Sequence, residues 1–254
     1  MTAPLNPLRA MLVQGRPSFG LWSMLPHPWS VEALATCGFD WMVIDTEHTA
    51  VTLPQVMTLL QAMAPWPCLP VVRSGSADPV EIKRLLDLGA QTLVIPNIQS
   101  ANEARAAVAA TRYPPEGIRG AAGLTRAARF GLAPDYAASA NDGIGVILQV
   151  ETAAALAQVE AIAAVPGVDV LFIGPADLAA SMGLPGQPGH PAVRAAVLDG
   201  LARIAAAGLN PGVLTLDAGF ARECVAAGSR FTAVGIDTAL LLGAARGLAA
   251  AWRG

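Results

Sequence analysis

The stretch LDLGAQTLVIP, residues 86–96, joins the end of an apolar, helix-forming segment to a short apolar run through Gly89. A glycine just past a helix readily adopts the left-handed conformation that ends it. Apolar runs without strict alternation are typical of parallel strands that are covered on both faces. The repeat therefore predicts helices that alternate with parallel strands. The same unit recurs at residues 35–45, 165–175, 206–216 and 226–237.

The repeat and its helix-start signals predict a barrel. Eight strands that alternate with helices in 254 residues indicate a (β/α)8 TIM barrel of the α/β class, with a single domain over residues 1–254. An open doubly wound sheet is the alternative, but no GxGxxG motif follows the first strand. Segments 113–141 and 181–191 interrupt the repeat, and such excursions are usually functional or interfacial. The predicted strands are 18–23, 40–45, 68–73, 91–96, 145–151, 170–174, 211–215 and 231–236.

The composition excludes several classes of protein. Apolar residues make up 54% of the chain and charged residues 14%, and the net charge is −3. A disordered chain has fewer apolar residues, and a nucleic-acid-binding protein needs a positive surface. The chain has no run of about 18 apolar residues that could span a bilayer, and residues 1–18 do not resemble a secretion signal. We therefore expect neither nucleic acid nor membrane as a partner.

The cysteines and the C-terminal segment bear on compartment and assembly. Cys37, Cys68 and Cys224 are far apart and have no metal-binding spacing, so we expect buried thiols in a reducing cytoplasm. Residues 238–252 are almost wholly apolar. A helix that is apolar nearly all round must be buried on most sides, and one barrel covers only one side of an outer helix. This segment therefore predicts a homo-oligomer.

Polar residues follow the apolar runs at one end of the predicted strands. Active sites of (β/α)8 barrels lie at the C-terminal ends of the strands, so we expect these side chains to converge on one rim. Burying them there is costly unless they are satisfied. Their convergence is the main indication of function. They are Asp45, Thr46, Glu47, His48, Arg73, Gln149, Glu151 and Asp177.

Glu151 and Asp177 are candidate metal ligands. Two carboxylates at neighbouring strand ends provide the hard oxygen ligands that Mg²⁺ and Mn²⁺ prefer. Each acid alone could instead cap the helix that follows its strand. The pair together favours the metal site.

Arg73 and His48 are candidate catalytic residues. The guanidinium fork of Arg73 suits a carboxylate or an enolate oxygen, although it could pair with a buried acid. His48 lies three residues after Asp45, and an aspartate that fixes a histidine tautomer produces a general base. A surface loop histidine is the alternative. Asp87, in an otherwise apolar segment, either supports the site through an arginine or is a partly exposed helix acid.

Lysine usage bears on the mechanism. The only lysine of the chain is Lys83, in the helix predicted after the third strand. A Schiff-base lysine would project from a strand into the pocket. Activation of a carbonyl would therefore depend on a Lewis-acid metal.

Several motifs over nearly the whole chain resemble the HpcH/HpaI aldolase family, whose members are metal-dependent class II pyruvate aldolases. The strings GPADL and RYPPEGIRG are the most specific. The matching stretches are GLW (20–22), GFDWMVIDTEH (38–48), PVVR (70–73), DPVEIKRLLDLGAQTLVIP (78–96), RYPPEGIRG (112–120), QVET (149–152), GVDVLFIGPADLAASMG (167–183) and AVGIDT (233–238).

The resemblance implies a modified (β/α)8 barrel that exchanges its last helix with a neighbour and assembles as a hexamer, a trimer of dimers. It implies that Glu151 and Asp177 bind the metal and that Arg73 holds the pyruvyl oxygen. It also implies that His48 with Asp45 forms the base.

The same resemblance implies further substrate contacts. It places Gln149 beside the substrate and the backbone N–H groups of Ala176 and Asp177 at the pyruvate carboxylate. Trp22 and Leu214 match positions near the aldehyde.

The chain departs from the family near the aldehyde end of the pocket. The loop AAGLTRAARFG (121–131) is one residue shorter than usual and lacks a serine and a tryptophan, and Thr46 replaces a glycine. These differences concern the acceptor aldehyde and leave the pyruvyl chemistry intact.

The expected protein is a divalent-metal-dependent lyase without an organic cofactor. It would use Mg²⁺, Mn²⁺ or Co²⁺ for reversible retro-aldol cleavage of 4-hydroxy-2-oxo acids to an aldehyde and pyruvate or hydroxypyruvate. One alternative is a TIM-barrel enzyme that acts on a phosphorylated substrate, which is disfavoured because little glycine follows the last two strands. The other is a non-catalytic binding or scaffold protein on the same barrel.

Overall fold

Eight parallel strands form a closed barrel in the computed structural model, which describes residues 6–253. Residues 1–5 and 254 of the predicted domain lie outside the described residues. Each strand pairs with the next along the chain, and the last closes on the first. The strands are β1 (Ser18–Ser23), β2 (Trp41–Asp45), β3 (Leu69–Arg73), β4 (Thr92–Ile95), β5 (Gly145–Val150), β6 (Val170–Ile173), β7 (Asn210–Leu214) and β8 (Phe231–Ile236).

The predicted TIM barrel is confirmed, and the open sheet is wrong. Every predicted strand is present, with each end within one residue of its expected position. The five glycines of the repeat all have positive φ, for example 88° at Gly38 and 113° at Gly228. Local sequence patterns were sufficient to predict the strands, because each glycine ends a helix before a strand that is buried on both faces.

Helices surround the barrel, and two excursions interrupt their order. Residues 113–141 contain only short helical segments, and residues 182–190 form turns. The helices are α1 (Pro7–Val13), α2 (Pro28–Ala35), α3 (Leu53–Met63), α4 (Pro79–Asp87), α5 (Ala101–Thr111), α6 (Tyr136–Ser139), α7 (Ala153–Leu156), α8 (Val159–Ala163), α9 (Pro175–Ser181), α10 (Pro191–Ala206), α11 (Ala218–Ala226) and α12 (Asp237–Arg253).

The apolar core has two layers. The larger lies between the strands and the outer helices, and the smaller fills the barrel. Inside the barrel, Trp41 stacks on Phe231 at 3.6 Å between ring centroids, and Phe172 meets Phe231 edge-on at 6.3 Å. These rings fill the interior of the barrel, and a cavity lies above them at the C-terminal rim.

Helix α1 closes the opposite end of the barrel. Leu8 is fully buried in the interior cluster. The Asn6 amide donates to the carbonyl groups of Gln91 (2.9 Å) and Gly143 (3.2 Å), which precede β4 and β5. The N-terminal end is thereby covered, which leaves the C-terminal rim open.

Helix α12 lies largely exposed on the protomer. Among its described side chains, only Asp237 is buried. Leu240, Leu241, Leu248 and Trp252 are 53%, 58%, 64% and 84% exposed. An apolar helix left this exposed is an unpartnered surface.

Two expectations from composition meet different outcomes. Cys68 and Cys224 are buried, whereas the prediction for Cys37 is wrong, because its thiol lies exposed just after α2. Within residues 6–253, none of the helices combines the length and the apolar character that crossing a membrane requires.

Candidate active site

A cavity of about 290 Å³ opens at the C-terminal ends of the strands. One side is polar and the other apolar. Glu151 lies beside it, against the backbone of the lining residue Gly174. The barrel therefore brings most of the predicted site residues together. Those that line the cavity are Trp22, Asp45, His48, Arg73, Gln149, Ala176, Asp177 and Leu214.

Arg73 is held by two carboxylates. Asp45 and Arg73 end neighbouring strands and lie opposite each other in the β2–β3 register. The guanidinium donates from Nε to Asp45 Oδ1 (3.0 Å) and from Nη2 to Oδ2 (2.5 Å), and Nη1 lies 2.7 Å from Glu47 Oε2. It also lies 4.9 Å from the ring centroid of Trp22. Since the Arg73 side chain is only 7% exposed, its orientation is fixed.

Asp45 is the most strongly bonded acid of the site. Besides Arg73, it accepts from Trp22 Nε1 (3.2 Å) and from the backbone N–H groups of Glu47 (2.9 Å) and His48 (3.3 Å). Burial alone would raise the pKa of Asp45, but the hydrogen bonds and the charge of Arg73, with those other donors, hold it below its usual value. Asp45 is therefore a stable anion.

The predicted side-chain pair of Asp45 and His48 is not formed. Asp45 holds the backbone of His48, not its imidazole. The imidazole is 59% exposed, and its Nε2 lies 3.8 Å from Glu47 Oε2. The prediction was wrong on this point because Arg73, which lies on the adjacent strand, binds the Asp45 carboxylate. The spacing of three residues along the chain had assigned that carboxylate to the His48 imidazole.

Glu47 is a site residue that sequence reasoning placed on the rim without a role. Its carboxylate lies between Arg73 and His48. Burial and the nearby charges of Asp45 and Asp177 raise its pKa, against the opposing charges of Arg73 and His48. The sequence DTEH (45–48) could have indicated a role for Glu47, because three polar side chains follow the end of β2.

Glu151 is a buried acid, 5% exposed, just after β5. It accepts the backbone N–H of Asn97 at Oε1 (2.9 Å) and the amide of Gln149 at Oε2 (2.5 Å). Burial, followed by the charges of Asp177 and Glu47, raises the pKa of Glu151 to about 7. The raised pKa thus results first from burial of the carboxyl group and second from the negative charges of Asp177 and Glu47 nearby.

The alternatives to a metal role for these acids are not supported by the local structure. Thr152, not Glu151, caps the helix after β5. Asp177 lies in the first turn of α9, which begins at Pro175 and not at Leu178. Neither carboxylate therefore serves as a helix cap.

The surroundings of Glu151 and Asp177 fit a cation. Gln149 Oε1 is buried without a hydrogen-bond partner. A Cβ at Gly174 would lie 2.7 Å from Glu151 Oε2 and 2.8 Å from Gln149 Nε2, so a side chain there would block the carboxylate. In the described part of the chain, no His, Cys, Asp or Glu side chains form a group of three or more that could hold a metal ion. Substrate oxygens and water would have to complete the coordination of a two-carboxylate site.

The opposite side of the cavity is apolar. Trp22 packs on Phe172 with ring centroids 5.5 Å apart. Met24, Leu214 and Ile236 extend this wall. The cavity is thus suited to a small molecule with a polar end and an apolar end.

Asp87 and Lys83 lie outside this cavity. Asp87 ends α4 and bonds Arg119 at 2.7 Å. The predicted arginine partner is present, but the pair is not part of this protomer's cavity lining. Lys83 lies in the outer helix α4, where its side chain approaches Gly120.

The other two histidines serve as helix caps. The Nδ1 atoms of His27 and His190 accept the backbone N–H groups of Trp29 and Ala192, each at 3.2 Å. Both histidines therefore have a structural role at a helix start.

Comparisons with known proteins agree on one family. A family model described as HpcH/HpaI aldolase/citrate lyase matches residues 18–244. A pyruvate aldolase of Rhizobium etli is 52% identical over 250 residues, which cover 98% of both chains. A hydroxypyruvate/pyruvate aldolase of Sagittula stellata is 51% identical over 252 residues, 99% of this chain and 100% of the other. A solved HpcH/HpaI aldolase/citrate lyase family protein from Burkholderia cenocepacia has a TM-score of 0.93 and 42% identity, with 98% of this chain and 99% of that chain covered.

Proposed function

Because the chain belongs to the HpcH/HpaI aldolase/citrate lyase family, we propose that it is a carbon–carbon lyase of the class II aldolase type. It cleaves 4-hydroxy-2-oxo acids reversibly to an aldehyde and pyruvate or hydroxypyruvate. The observation that carries the proposal is the convergence of three carboxylates, Glu47, Glu151 and Asp177, and Arg73 at the polar side of a cavity with an apolar opposite wall.

Glu151 and Asp177 hold a divalent cation, Mg²⁺, Mn²⁺ or Co²⁺, and no organic cofactor is required. Two observations support this assignment: the negative charge of Asp177 acts on the buried Glu151, and the glycine at 174 lets the Glu151 carboxylate pack against its backbone. When bound, such a cation polarises the 2-oxo group and acidifies the adjacent C3–H bond. Gln149 holds Glu151 in place through its amide nitrogen and presents its unpartnered Oε1 beside it.

Arg73 binds the oxygen of the 2-oxo group through Nη1, the guanidinium nitrogen that Asp45 does not hold. That nitrogen contacts Glu47 at 2.7 Å, so the substrate oxygen competes with Glu47 for it. Because Asp45 fixes the other two nitrogens, Arg73 is oriented before charge develops on the substrate, which is the condition for effective electrostatic stabilisation.

His48 moves the proton. In cleavage it takes the proton of the 4-hydroxyl group, and in synthesis it takes the C3 proton of pyruvate. Its imidazole is exposed to solvent, with which it can exchange protons, and its Nε2 lies 3.8 Å from Glu47 Oε2. The backbone N–H groups of Ala176 and Asp177, which lack intrahelical acceptors in the first turn of α9, bind the substrate carboxylate.

We expect a chelator to abolish retro-aldol cleavage and added Mg²⁺, Mn²⁺ or Co²⁺ to restore it. The alternative, imine chemistry, needs a lysine in the cavity, and Lys83 lies in an outer helix. Pyruvate release from a 4-hydroxy-2-oxo acid measures the activity. Borohydride added with pyruvate should leave the protein mass unchanged.

Two results would contradict this proposal. Full activity in chelator would exclude the metal, and a reduced adduct at Lys83 would establish imine chemistry. A Mn²⁺ titration separates the enzyme from a scaffold protein, because a scaffold need not bind the ion. Turnover only of phosphorylated compounds would favour the other barrel enzyme.

We propose that the chain forms a homo-oligomer, a hexamer built as a trimer of dimers, in which α12 packs on a neighbouring subunit. The apolar residues of α12 are exposed. Phe19 of β1 and Val234 of β8 line an apolar groove against α11 that α12 of the same protomer leaves uncovered. Both the groove and the exposed residues of α12 are apolar, which supports α12 of a second copy as the occupant of the groove.

We expect the wild-type chain to sediment as a hexamer and the double variant Leu241→Glu/Leu248→Glu to sediment as smaller species. Two charges on the exposed apolar face of α12 would have to be desolvated in the interface. Val80→Glu is the matched control, since Val80 is 56% exposed on the outer helix α4. A wild-type monomer at micromolar concentration would contradict the proposal.

We propose that the protein acts in the cytoplasm. Its three cysteines are free thiols, and Cys37 is exposed. Exposed thiols are compatible with a reducing compartment.

A further inference from the structure

Asp237, the first residue of α12, is a buried acid outside the polar side of the cavity. It is 3% exposed. Oδ1 accepts the backbone N–H groups of Met24 (2.9 Å) and Thr238 (2.6 Å). Oδ2 accepts the Ser23 hydroxyl (2.8 Å) and the backbone N–H of Leu25 (3.0 Å). Three of these four bonds reach across to residues 23–25.

This pattern differs from that of an ordinary helix cap. Asp217, which precedes the neighbouring helix α11, accepts the N–H groups of Gly219 and Phe220 from its own first turn. Asp237 accepts only one hydrogen bond from its own helix, from the backbone N–H of Thr238. Its main effect is to tie the end of β8 to the segment that follows β1.

Both ends of this tie lie in the apolar wall. Met24, bonded through its backbone, and Ile236, the residue before Asp237, line the cavity together with Trp22 and Leu214. Met24 is half-buried and packs against the interior cluster of the barrel, and Asp237 accepts its backbone N–H. Asp237 therefore determines where this part of the wall lies.

We propose that Asp237 is a positioning residue that sets the fit of the acceptor aldehyde by holding Met24 against the cavity. This inference rests on the proposed aldolase function. Within the described structure, Asp237 forms no hydrogen bond with Arg73 or Glu151, so we expect the pyruvate half of the reaction to be independent of it. The aldehyde substituent is the part of the substrate that meets the apolar wall.

The test uses Asp237→Asn in the full-length protein with Mg²⁺. The amide places N–H donors where one carboxylate oxygen was, so at least one backbone N–H of residues 24–25 loses its acceptor. We expect the KM for butanal, in condensation with pyruvate, to rise about tenfold, the scale of an imperfect apolar fit. The KM for formaldehyde and the rate of deuterium exchange at C3 of pyruvate should stay unchanged. Asp217→Asn, the matched control, should change none of these values.

The outcomes separate this inference from the proposed function. Absence of C3 exchange in the wild type would overturn the aldolase proposal and this inference with it. Exchange in the wild type with an unchanged butanal KM in Asp237→Asn would overturn only the role of Asp237. A parallel loss of exchange and butanal affinity would also overturn it, by indicating a general structural role. Should Asp237→Asn not fold, Ser23→Ala removes one bond of the tie, and its butanal KM should rise about threefold; no change would overturn the inference.

Discussion

Glu151→Gln is expected to lower retro-aldol turnover by about 10³-fold or more while leaving the fold intact. The amide has the same shape but lacks the anionic oxygen that a hard divalent cation prefers. A bound cation contributes several kcal/mol of charge stabilisation, and each 1.36 kcal/mol is about tenfold in rate. The loss of turnover therefore follows from the loss of the ion.

The stability of the metal-free Glu151→Gln variant should change little. The substitution removes the repulsion that Glu151 has with Asp177 and Glu47. It also deprives either Asn97 or Gln149 of an acceptor. We expect the two effects to offset each other to within about 1 kcal/mol, or about 2–4 °C in melting temperature for a chain of this size.

Calorimetric titration with Mn²⁺ and thermal unfolding of the same preparation test this prediction. Glu160→Gln is the control, because Glu160 is an outer-helix acid that pairs with Arg203 away from the cavity. Wild-type Mn²⁺ affinity in Glu151→Gln would show that Glu151 is not a ligand. A large fall in melting temperature would show that its hydrogen bonds outweigh the repulsion.

Arg73→Lys is expected to lower kcat and kcat/KM together by about 10²-fold or more. Lysine keeps the charge but loses the planar fork that binds Asp45 at two points and leaves Nη1 directed at the substrate. Loss of one preorganised oxyanion donor costs about 2.7–4 kcal/mol in the transition state. An interaction that is stronger in the transition state affects kcat as much as kcat/KM.

The structure adds a cost in stability to this prediction. Asp45 is completely buried and depends on Arg73 for two charge-assisted hydrogen bonds. Lysine can replace one of them, so the variant loses about 1.5–3 kcal/mol and melts several degrees lower. Arg203→Lys, which breaks an exposed bidentate pair with Glu160, is the matched control.

Kinetics and unfolding of one preparation distinguish the two roles of Arg73. A lower melting temperature with near-normal kcat in the folded fraction would make Arg73 only a partner of Asp45. A decrease in kcat that is larger than the loss of folded protein would establish its catalytic role.

The barrel and the rim of the site follow from local signals. Gly38, Gly89 and Gly228 end helices, and the apolar runs after them form strands at the expected positions. Because parallel strands in a barrel end on the same rim, Arg73 and Gln149 could be placed in one site before any contact was known. Chain order is sufficient for such inferences, since it specifies which strand each residue ends.

Partners across strands could not be predicted in the same way. Spacing along the chain joined His48 to Asp45, whereas the β2–β3 register places Arg73 on that carboxylate. The unpartnered oxygen of Gln149 and the space at Gly174 depend on distances between β5 and the residue after β6. Sequence spacing carries no information on such distances.

Order along the chain thus decided the number of strands, their direction and the rim on which the polar residues meet, because helix ends and buried strands are specified by neighbouring residues. Only the three-dimensional arrangement decided that Arg73 holds Asp45, that Glu47 lies between Arg73 and His48, and that Asp237 ties residues 23–25 to α12. A side chain bonds whichever group lies within about 3 Å, and that group comes from a segment remote in sequence that only folding brings near.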